Sequence, residues 1–431
     1  MRSDEEVSRV HIIGAGMAGL AAAVKLTREG VPVTLYEGAG HAGGRCRSFL
    51  DKALGAVIDN GNHLILSGNL SIQSYLSMID ARETFETAEA VFPFLDLRTG
   101  ERWQVRPGAG KFPFWLLRKG RGIPGVKLPE YLSAFRINNA APGKTVAEVA
   151  GGKGLLYQRF WEPMTLATLN TPPGEASAIL LKAVLGETFF KGAKFCRPLL
   201  AAKGLTQSFI DPALKFLKSG GVKIHFKTRL REVVRENGKM TALKFSLRTA
   251  PLGTDDQVIL ALPPNITSAL VKEVEGPAEF HAIVNVHFRL PKKAAGEGSV
   301  PFLGLLGGTA HWLFIRGGIA SVTVSAADRL AEKSAGEIAK LIWRDVARAL
   351  GAGNAKIPAY RVIKEKRATF SQTPANLRKR APQKGPLPNL YLAGDWIQTY
   401  IPATIESAVR SGFFAARAVI RDRDLKTGKK G

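Results

Sequence analysis

The chain has 431 residues, 45% of them hydrophobic, and carries 61 Lys and Arg against 36 Asp and Glu, a formal charge of +25. That length exceeds one core of ordinary size, so two domains, serial or intertwined, are expected, and the apolar content excludes a disordered chain. The charge implies attraction to a polyanion, whether nucleic acid, anionic lipid or an acidic protein, and composition does not choose among these.

Only Cys46 and Cys196 occur, with no CxxC, so neither a disulfide framework nor a zinc site is supported. No metal is expected, and a reducing, cytoplasmic compartment fits. Cys46 follows directly on Gly43-Gly44-Arg45 and reads as a small residue packed beside a cofactor rather than a reactive thiol. The first residues, MRSDEEVSRV, place acids where a secretion signal needs positive charge and an apolar core, so no such signal is expected. No run reaches about 18 apolar residues; the best candidate, 301–327, is interrupted by His311, Arg316 and paired glycines. The chain is expected not to span a membrane, which leaves it free to lie on one.

In chain order, the first element is VHIIGAGMAGL, residues 10–20, a short buried strand running through a glycine turn into a helix. Gly14, Gly16 and Gly19 have the GxGxxG spacing. Gly14 permits the tight turn, Gly16 lets the backbone approach a pyrophosphate, and Gly19 lets helix and strand pack closely. The N–H groups at the helix start, from Met17 and Ala18 to Gly19, then face the phosphates. A second strand, VPVTLYE, ends in Glu37, near the offset of about 20 residues expected for the carboxylate on a ribose 2′-OH. A carboxylate there repels a 2′-phosphate and disfavours NADP. Gly43-Gly44-Arg45 supplies a second flexible turn and a guanidinium for the pyrophosphate.

Residues 56–68 alternate as a strand with a polar turn, DNGNH, inside it; Asp59, Asn60, Asn62 and His63 are either site groups or an Asx-type turn beside a half-exposed histidine. A helix is expected over 71–79. From 92 to 129 the chain turns aromatic and basic, above all in KFPFWLLRKGR at 111–121. That composition suits either an anionic lipid interface or the wall of a substrate cavity with a solvated basic edge. No RNP, OB or zinc-finger pattern accompanies it, so no nucleic acid is expected. Helices are predicted over 145–149, 155–167, 176–185 and 205–218, then a strand over 222–226 and a hairpin pair, 229–235 and 239–246, around Asn237-Gly238. The run 256–264 reads as a buried strand returning to the first sheet. Further strands fall at 280–290 and 320–325, with one amphipathic helix over 331–350. Near the end, a strand over 390–393 meets Gly394-Asp395, a loop, and a helix starting near Pro402, which repeats the opening order of strand, glycine, carboxylate and helix N-terminus. The tail, RDRDLKTGKKG, is expected to be disordered.

Together GAGMAGL with Glu37, Gly43-Gly44-Arg45 and the LAGDW strand resemble the FAD-dependent amine oxidase and desaturase superfamily over nearly the whole chain. The pieces DNGNH (59–63), RFWEPMTLATLNTPPGEAS (159–177), EKRATFSQTPA (365–375) and AGDWIQTYIPATIESAVRSG (393–412) resemble its squalene-associated branch, the hydroxysqualene dehydroxylases. The resemblance implies an α/β fold. A Rossmann-like FAD-binding domain (1–75, 200–265 and 383–431) would interleave with an α+β substrate domain (76–199 and 266–382). It implies FAD as cofactor, with Glu37 on the adenosine ribose, Arg45 on the pyrophosphate, Val233 on the adenine side, and Gly394, Asp395, Ala403, Thr404 and Ile405 along the pyrophosphate, ribityl chain and ring. Where amine oxidases place two aromatic rings before the last helix's glutamate, this chain has Ile401 and Thr404 before Glu406, so an amine-seating cage is not expected.

The implied reaction reduces the allylic alcohol hydroxysqualene to squalene with loss of water, hydride passing from reduced flavin to an allylic cation. The protein must exclude water and protonate the departing hydroxyl; His63, Asp59 and Glu406 are the candidates, His63 first because its ordinary pKa lies nearest neutrality. No second GxGxxG follows a strand in mid-chain, so a separate electron donor is expected. Expected partners are a lipophilic isoprenoid substrate, an anionic membrane surface on the inner face of the cytoplasmic membrane, and upstream squalene-pathway enzymes. The competing readings are a carotenoid-type desaturase running hydride the opposite way and a noncatalytic flavoprotein scaffold at the membrane.

Overall fold

The computed structural model describes residues 8–108, 122–291 and 301–427, so the aromatic and basic stretch at 111–121 and the last four residues of the tail lie outside it. The opening strand, Val10–Ile13, is buried on both faces, as its unbroken apolar run requires in a parallel sheet covered by helices. It sits at the centre of five parallel strands in the order Lys223–His225, Val33–Tyr36, Val10–Ile13, Gln257–Leu260 and Leu390–Leu392. Gln257–Leu260 pairs directly with it, Val10 opposite Gln257 and Ile13 opposite Leu260. The chain thus returns to this sheet from three distant places.

Two helices close one face. Met17–Arg28 and Ile405–Thr427 pack so tightly that a Cβ on Gly412 would stand 2.2 Å from the Ala18 carbonyl oxygen. The first helix is pinned to its strand in the same way: a Cβ on Gly19 would fall 1.8 Å from Gly14 O, and one on Gly14, at φ +104°, would fall 2.4 Å from Ala261 O.

The second body is a seven-stranded mixed sheet. Its order is Tyr360–Phe370, Phe280–Arg289, Ile319–Val324, Trp312–Arg316, Phe302–Leu306, Phe92–Asp96 and Arg102–Val105. Neighbours are antiparallel except Phe302–Leu306 with Phe92–Asp96. Ala335–Ala349 covers one face through Ile338, Ile342, Trp343 and Val346. A separate apolar cluster joins Phe92, Phe94 and Trp103 of this sheet to helices between residues 133 and 187.

The structure corrects several expectations. The helix expected over 331–350 is two, Asp328–Glu332 and Ala335–Ala349, because Ser334 caps the second: its hydroxyl accepts from Glu337 N and Glu337 returns a bond to Ser334 N. Strands Pro198–Ala201, Phe302–Leu306, Trp312–Arg316 and Tyr360–Phe370 were not anticipated. The tail is helical through Thr427. Its Asp422 accepts from Lys384 Nζ and Tyr391 Oη, and Arg423 donates to Ser8, contacts that a chain-end composition does not announce. Among the described residues no helix is long and apolar enough to cross a membrane.

Candidate active site: a flavin cleft between the two sheets

The helix Met17–Arg28 starts at Gly16, which is extended and offers no side chain to cap it, and no acid occupies the first turn. Its leading amides, those of Met17, Ala18 and Gly19, are left for an anion. The two glycine turns abut: Gly43 N donates to Ala15 O at 2.8 Å, Gly16 bridges Gly43, and Gly43 and Gly44 sit at φ +102° and +56°. A Cβ on Gly16 would meet nothing within 4 Å, so this cradle opens into free space. Glu37 closes one end, its two oxygens accepting from Ala15 N (2.7 Å) and Ala39 N (2.8 Å).

At the other end Arg45 meets Asp395, 350 positions away in sequence, Nη2 donating to both carboxylate oxygens at 2.9 and 2.8 Å. Nearly half of the Arg45 side chain is open. Protein nevertheless surrounds it deeply enough for burial to pull its pKa down, an effect that the Asp395 carboxylate outweighs, leaving it raised. An open side chain inside a dense environment lines an internal cleft rather than the outer surface. His63 has the same character: exposed, yet enclosed so that loss of water lowers its pKa to about 4, with Asp59 opposing and Arg45 reinforcing the shift. Glu37, the Gly16 and Gly43 turns, Arg45 and Asp395 are thus linked by contacts from the end of the second strand to the last strand's glycine loop. The line of contacts continues through Asn60, whose Nδ2 donates to Arg45 O, to Asn285 of the second sheet, whose Nδ2 donates to Asn60 O.

Other expected site residues have different surroundings. Asp59 is engaged as an acceptor: its oxygens accept from Ser48 Oγ, Leu205 N and Arg316 Nη2, which tie the hairpin Ser48–Asp51/Ala56–Asp59 to its neighbours. Glu406 is likewise spent, accepting from Ser71 N and Ile72 N at the start of the helix Leu70–Met78 and from Arg410. Ala403 N donates to Gln372 Oε1 rather than into the cleft, so the amides at the start of the last helix come from Thr404 and Ile405. Gly394, at φ +151°, donates to Ser411 Oγ. Val233 lies buried in the hairpin Leu230–Glu236/Lys239–Phe245, packed with Met240, Leu243 and Phe245. Cys46 is buried, and burial pushes its thiol pKa far up, which removes it as a nucleophile and leaves it a packing residue. Sequence reading missed Gln372, Arg380, Asn285 and Thr323. Asn62 Nδ2 donates to Thr323 Oγ1, and Thr323 in turn to Asn285 Oδ1. Gln372 falls inside the piece EKRATFSQTPA without standing out in it, and no motif marks the other three, because the polar partner of each comes from another strand or loop.

An uncapped helix N-terminus, two glycine turns without Cβ obstruction, a carboxylate at the end of the second strand and an arginine part-way along fit a dinucleotide, and the fold and cleft define an FAD-dependent oxidoreductase. The model of the family described as "Flavin containing amine oxidoreductase" matches residues 17–134 and 145–420. Cyclohexylamine oxidase from Brevibacterium oxydans IH-35A superposes with a TM-score of 0.72 at 16% identity, over 97% of this chain and 99% of that one. The chain belongs to this amine oxidoreductase family and, within it, to the hydroxysqualene dehydroxylases. The protein of that name from Sinorhizobium fredii is 42% identical over 94% of this chain and 97% of its own, and that from Zymomonas mobilis is 40% identical over 95% and 98%. A 15-cis-phytoene desaturase from an Oncidium hybrid cultivar stands further off, at 23% identity over 96% of this chain.

Proposed function

We propose that this enzyme reduces hydroxysqualene to squalene, releasing the allylic hydroxyl as water. The observation that carries the reading is the line of hydrogen bonds that joins the dinucleotide cradle to the polar turn 59–63 and the second sheet, in a chain 42% identical to a named dehydroxylase. Bound FAD supplies the hydride when reduced. The chain does the rest. Gly16 and the amides of Met17, Ala18 and Gly19 take the pyrophosphate with Arg45, and Glu37 takes the ribose. Asp395 holds Arg45 in place, and the Thr404 and Ile405 amides turn positive potential toward the ring. The two sheets enclose the reacting carbon away from water. His63 is the one candidate left to protonate the departing hydroxyl. As an imidazole of pKa about 4 it is neutral in the free protein, and an anionic pyrophosphate beside Arg45 offsets part of that depression.

We assign residues 1–75, 200–265 and 383–431 to the flavin half and 76–199 and 266–382 to the substrate half. Electrons come from a separate donor. In an anaerobic incubation, dithionite-reduced enzyme should convert hydroxysqualene to squalene, while NADPH alone should leave the flavin oxidised over a turnover. Unchanged hydroxysqualene, or squalene converted to a more unsaturated product, overturns the reading and favours a scaffold or a desaturase. The +25 charge supports peripheral attachment to an anionic membrane, where a lipophilic substrate resides. Co-sedimentation with liposomes should rise with anionic lipid and fall with salt; equal recovery on neutral vesicles in high salt removes that attachment.

A further inference from the structure

A hydrogen-bond relay whose direction is fixed ties the turn at 59–63 to the second sheet, and its last group has no place in the reaction as derived so far. Asn285, 2% exposed on the strand Phe280–Arg289, and Thr323, 9% exposed on Ile319–Val324, stand opposite each other in register and share a sheet face. Asn285 Nδ2 reaches the backbone carbonyl of Asn60 (3.3 Å), which can only accept, so that end of the amide must be the NH₂. Asn285 Oδ1 then accepts, and the Thr323 hydroxyl spends its one proton there (2.8 Å). Thr323 Oγ1 has only lone pairs left for Asn62, which must meet it with Nδ2 (3.0 Å). A backbone oxygen thus dictates, through two side chains, which way the Asn62 amide faces. The other end of that half-buried side chain, Oδ1, is a fixed acceptor with no hydrogen-bond partner among the described residues.

The turn that carries this acceptor also carries His63. A Cβ on Gly61 would lie 3.3 Å from Asn285 Nδ2 and 3.7 Å from His63 Nε2, so the relay and the imidazole flank the same backbone position. Beyond them the sheet face is apolar. Trp312 is the cross-strand neighbour of Thr323 on that face, and Phe314 and Leu64 are only partly covered by the aromatic cluster they pack against. An asparagine that merely shaped a turn would bond its own backbone two residues on; Asn62 bonds a strand 261 positions away. A fixed acceptor at the edge of an apolar wall suits a hydrocarbon that bears a hydroxyl, and is left unpaired by a hydrocarbon without one.

We propose that Asn62 recognises the hydroxyl of the substrate through Oδ1, with Thr323 and Asn285 as its positioning residues. The inference rests on the dehydroxylation reading and names the group that tells an allylic alcohol from the hydrocarbon it becomes. The hydroxyl donates its hydrogen to Asn62 Oδ1, which leaves its oxygen lone pairs for the proton that His63 delivers. An amide turned the other way would donate N–H to that oxygen and occupy a lone pair that has to be protonated. The relay therefore orients the leaving group as well as binding it.

The test is a binding titration of oxidised, FAD-loaded enzyme with hydroxysqualene and with squalene, each added in detergent and read from the change in flavin absorption; without reductant no turnover occurs. Wild type should bind the alcohol about tenfold more tightly than the hydrocarbon. Thr323→Val keeps the shape and frees the Asn62 amide to turn, and should bring that ratio to about one. Thr323→Ser, which restores the hydroxyl, should recover most of the preference, and Asn62→Leu should lose it. A wild-type ratio near one, or a Thr323→Val enzyme with the wild-type ratio, overturns the proposal. Should Asn62→Leu fail to fold, the Thr323→Val and Thr323→Ser pair decides alone. Squalene formation by the reduced enzyme is scored separately. An enzyme that makes squalene while Thr323→Val keeps the wild-type ratio fails this inference alone, and one that makes no squalene fails the dehydroxylation reading.

Discussion

His63 illustrates how the environment of one side chain overrules its type. A free imidazole titrates near neutrality, which placed His63 first among the candidate acids. Enclosure beside Arg45 lowers its pKa to about 4, so the protonated form is scarce at neutral pH and is recovered only as negative charge enters the cleft. The FAD-loaded enzyme should therefore lose rate as pH rises through the imidazole's working pKa, and that limb should vanish in His63→Gln. The substitution should cost about 10²-fold in squalene formation, the lower range for a positioned general acid, without altering the flavin spectrum. A rate unaffected by the change removes His63 from the mechanism. Asp59 and Glu406 teach the converse lesson. A carboxylate in a suggestive motif becomes a structural acceptor when a backbone N–H and an arginine reach it first, as Leu205 and Arg316 do for Asp59.

At the level of elements, the crossing of the first and last helices sets the position of the flavin loop, since Gly394 is bonded to Ser411 of the last helix. Gly412 is the point of closest approach, with Ala18 O at 2.2 Å and Ala22 N at 2.9 Å from the site of a Cβ. Backbone on both sides leaves nothing flexible to move. Gly412→Ala should destabilise the apoprotein by about 1–3 kcal/mol in urea unfolding. Gly186→Ala, also in a helix but with nothing within 4 Å, should be neutral or mildly stabilising through its better helix propensity. Equal stabilities for the two variants would mean that the crossing is looser than the geometry indicates.

For the molecule as a whole, buried histidines make folding sensitive to acid. His287 is fully buried, bonded through Nδ1 to Ser321 and unpartnered at Nε2, and its pKa is lowered to about 4; His311 is shifted to the same value by burial. Unfolded, each would titrate near about 6.5. The unfolded chain binds more protons between those values, so stability falls as pH drops from about 6.5 toward 4 and is restored above it. For His287 the loss is on the order of 3 kcal/mol. A melting temperature that does not decline over this window, or a His287→Asn variant that declines as steeply as wild type, would refute that account.

Local chemistry determined a good deal of this protein from sequence alone. The strand, glycine turn and helix at 10–28, the acid at Glu37, the second turn at 43–45, the Asn237-Gly238 hairpin and the final strand with Gly394-Asp395 each depend on residues a few positions apart. Backbone conformational preference and hydrophobic period are written at that range. The Ser334–Glu337 cap is equally local. Only the tertiary structure decided what depends on partners in other elements, from a loop some twenty residues on to strands and helices hundreds of residues away. It set the strand at 360–370 beside that at 280–289, the pairing of Arg45 with Asp395, the use of Asp59 and Glu406 as structural acceptors, and the burial of Arg380 under the flavin loop. Burial of a cation such as Arg380 is a property of the packed chain that no local pattern carries.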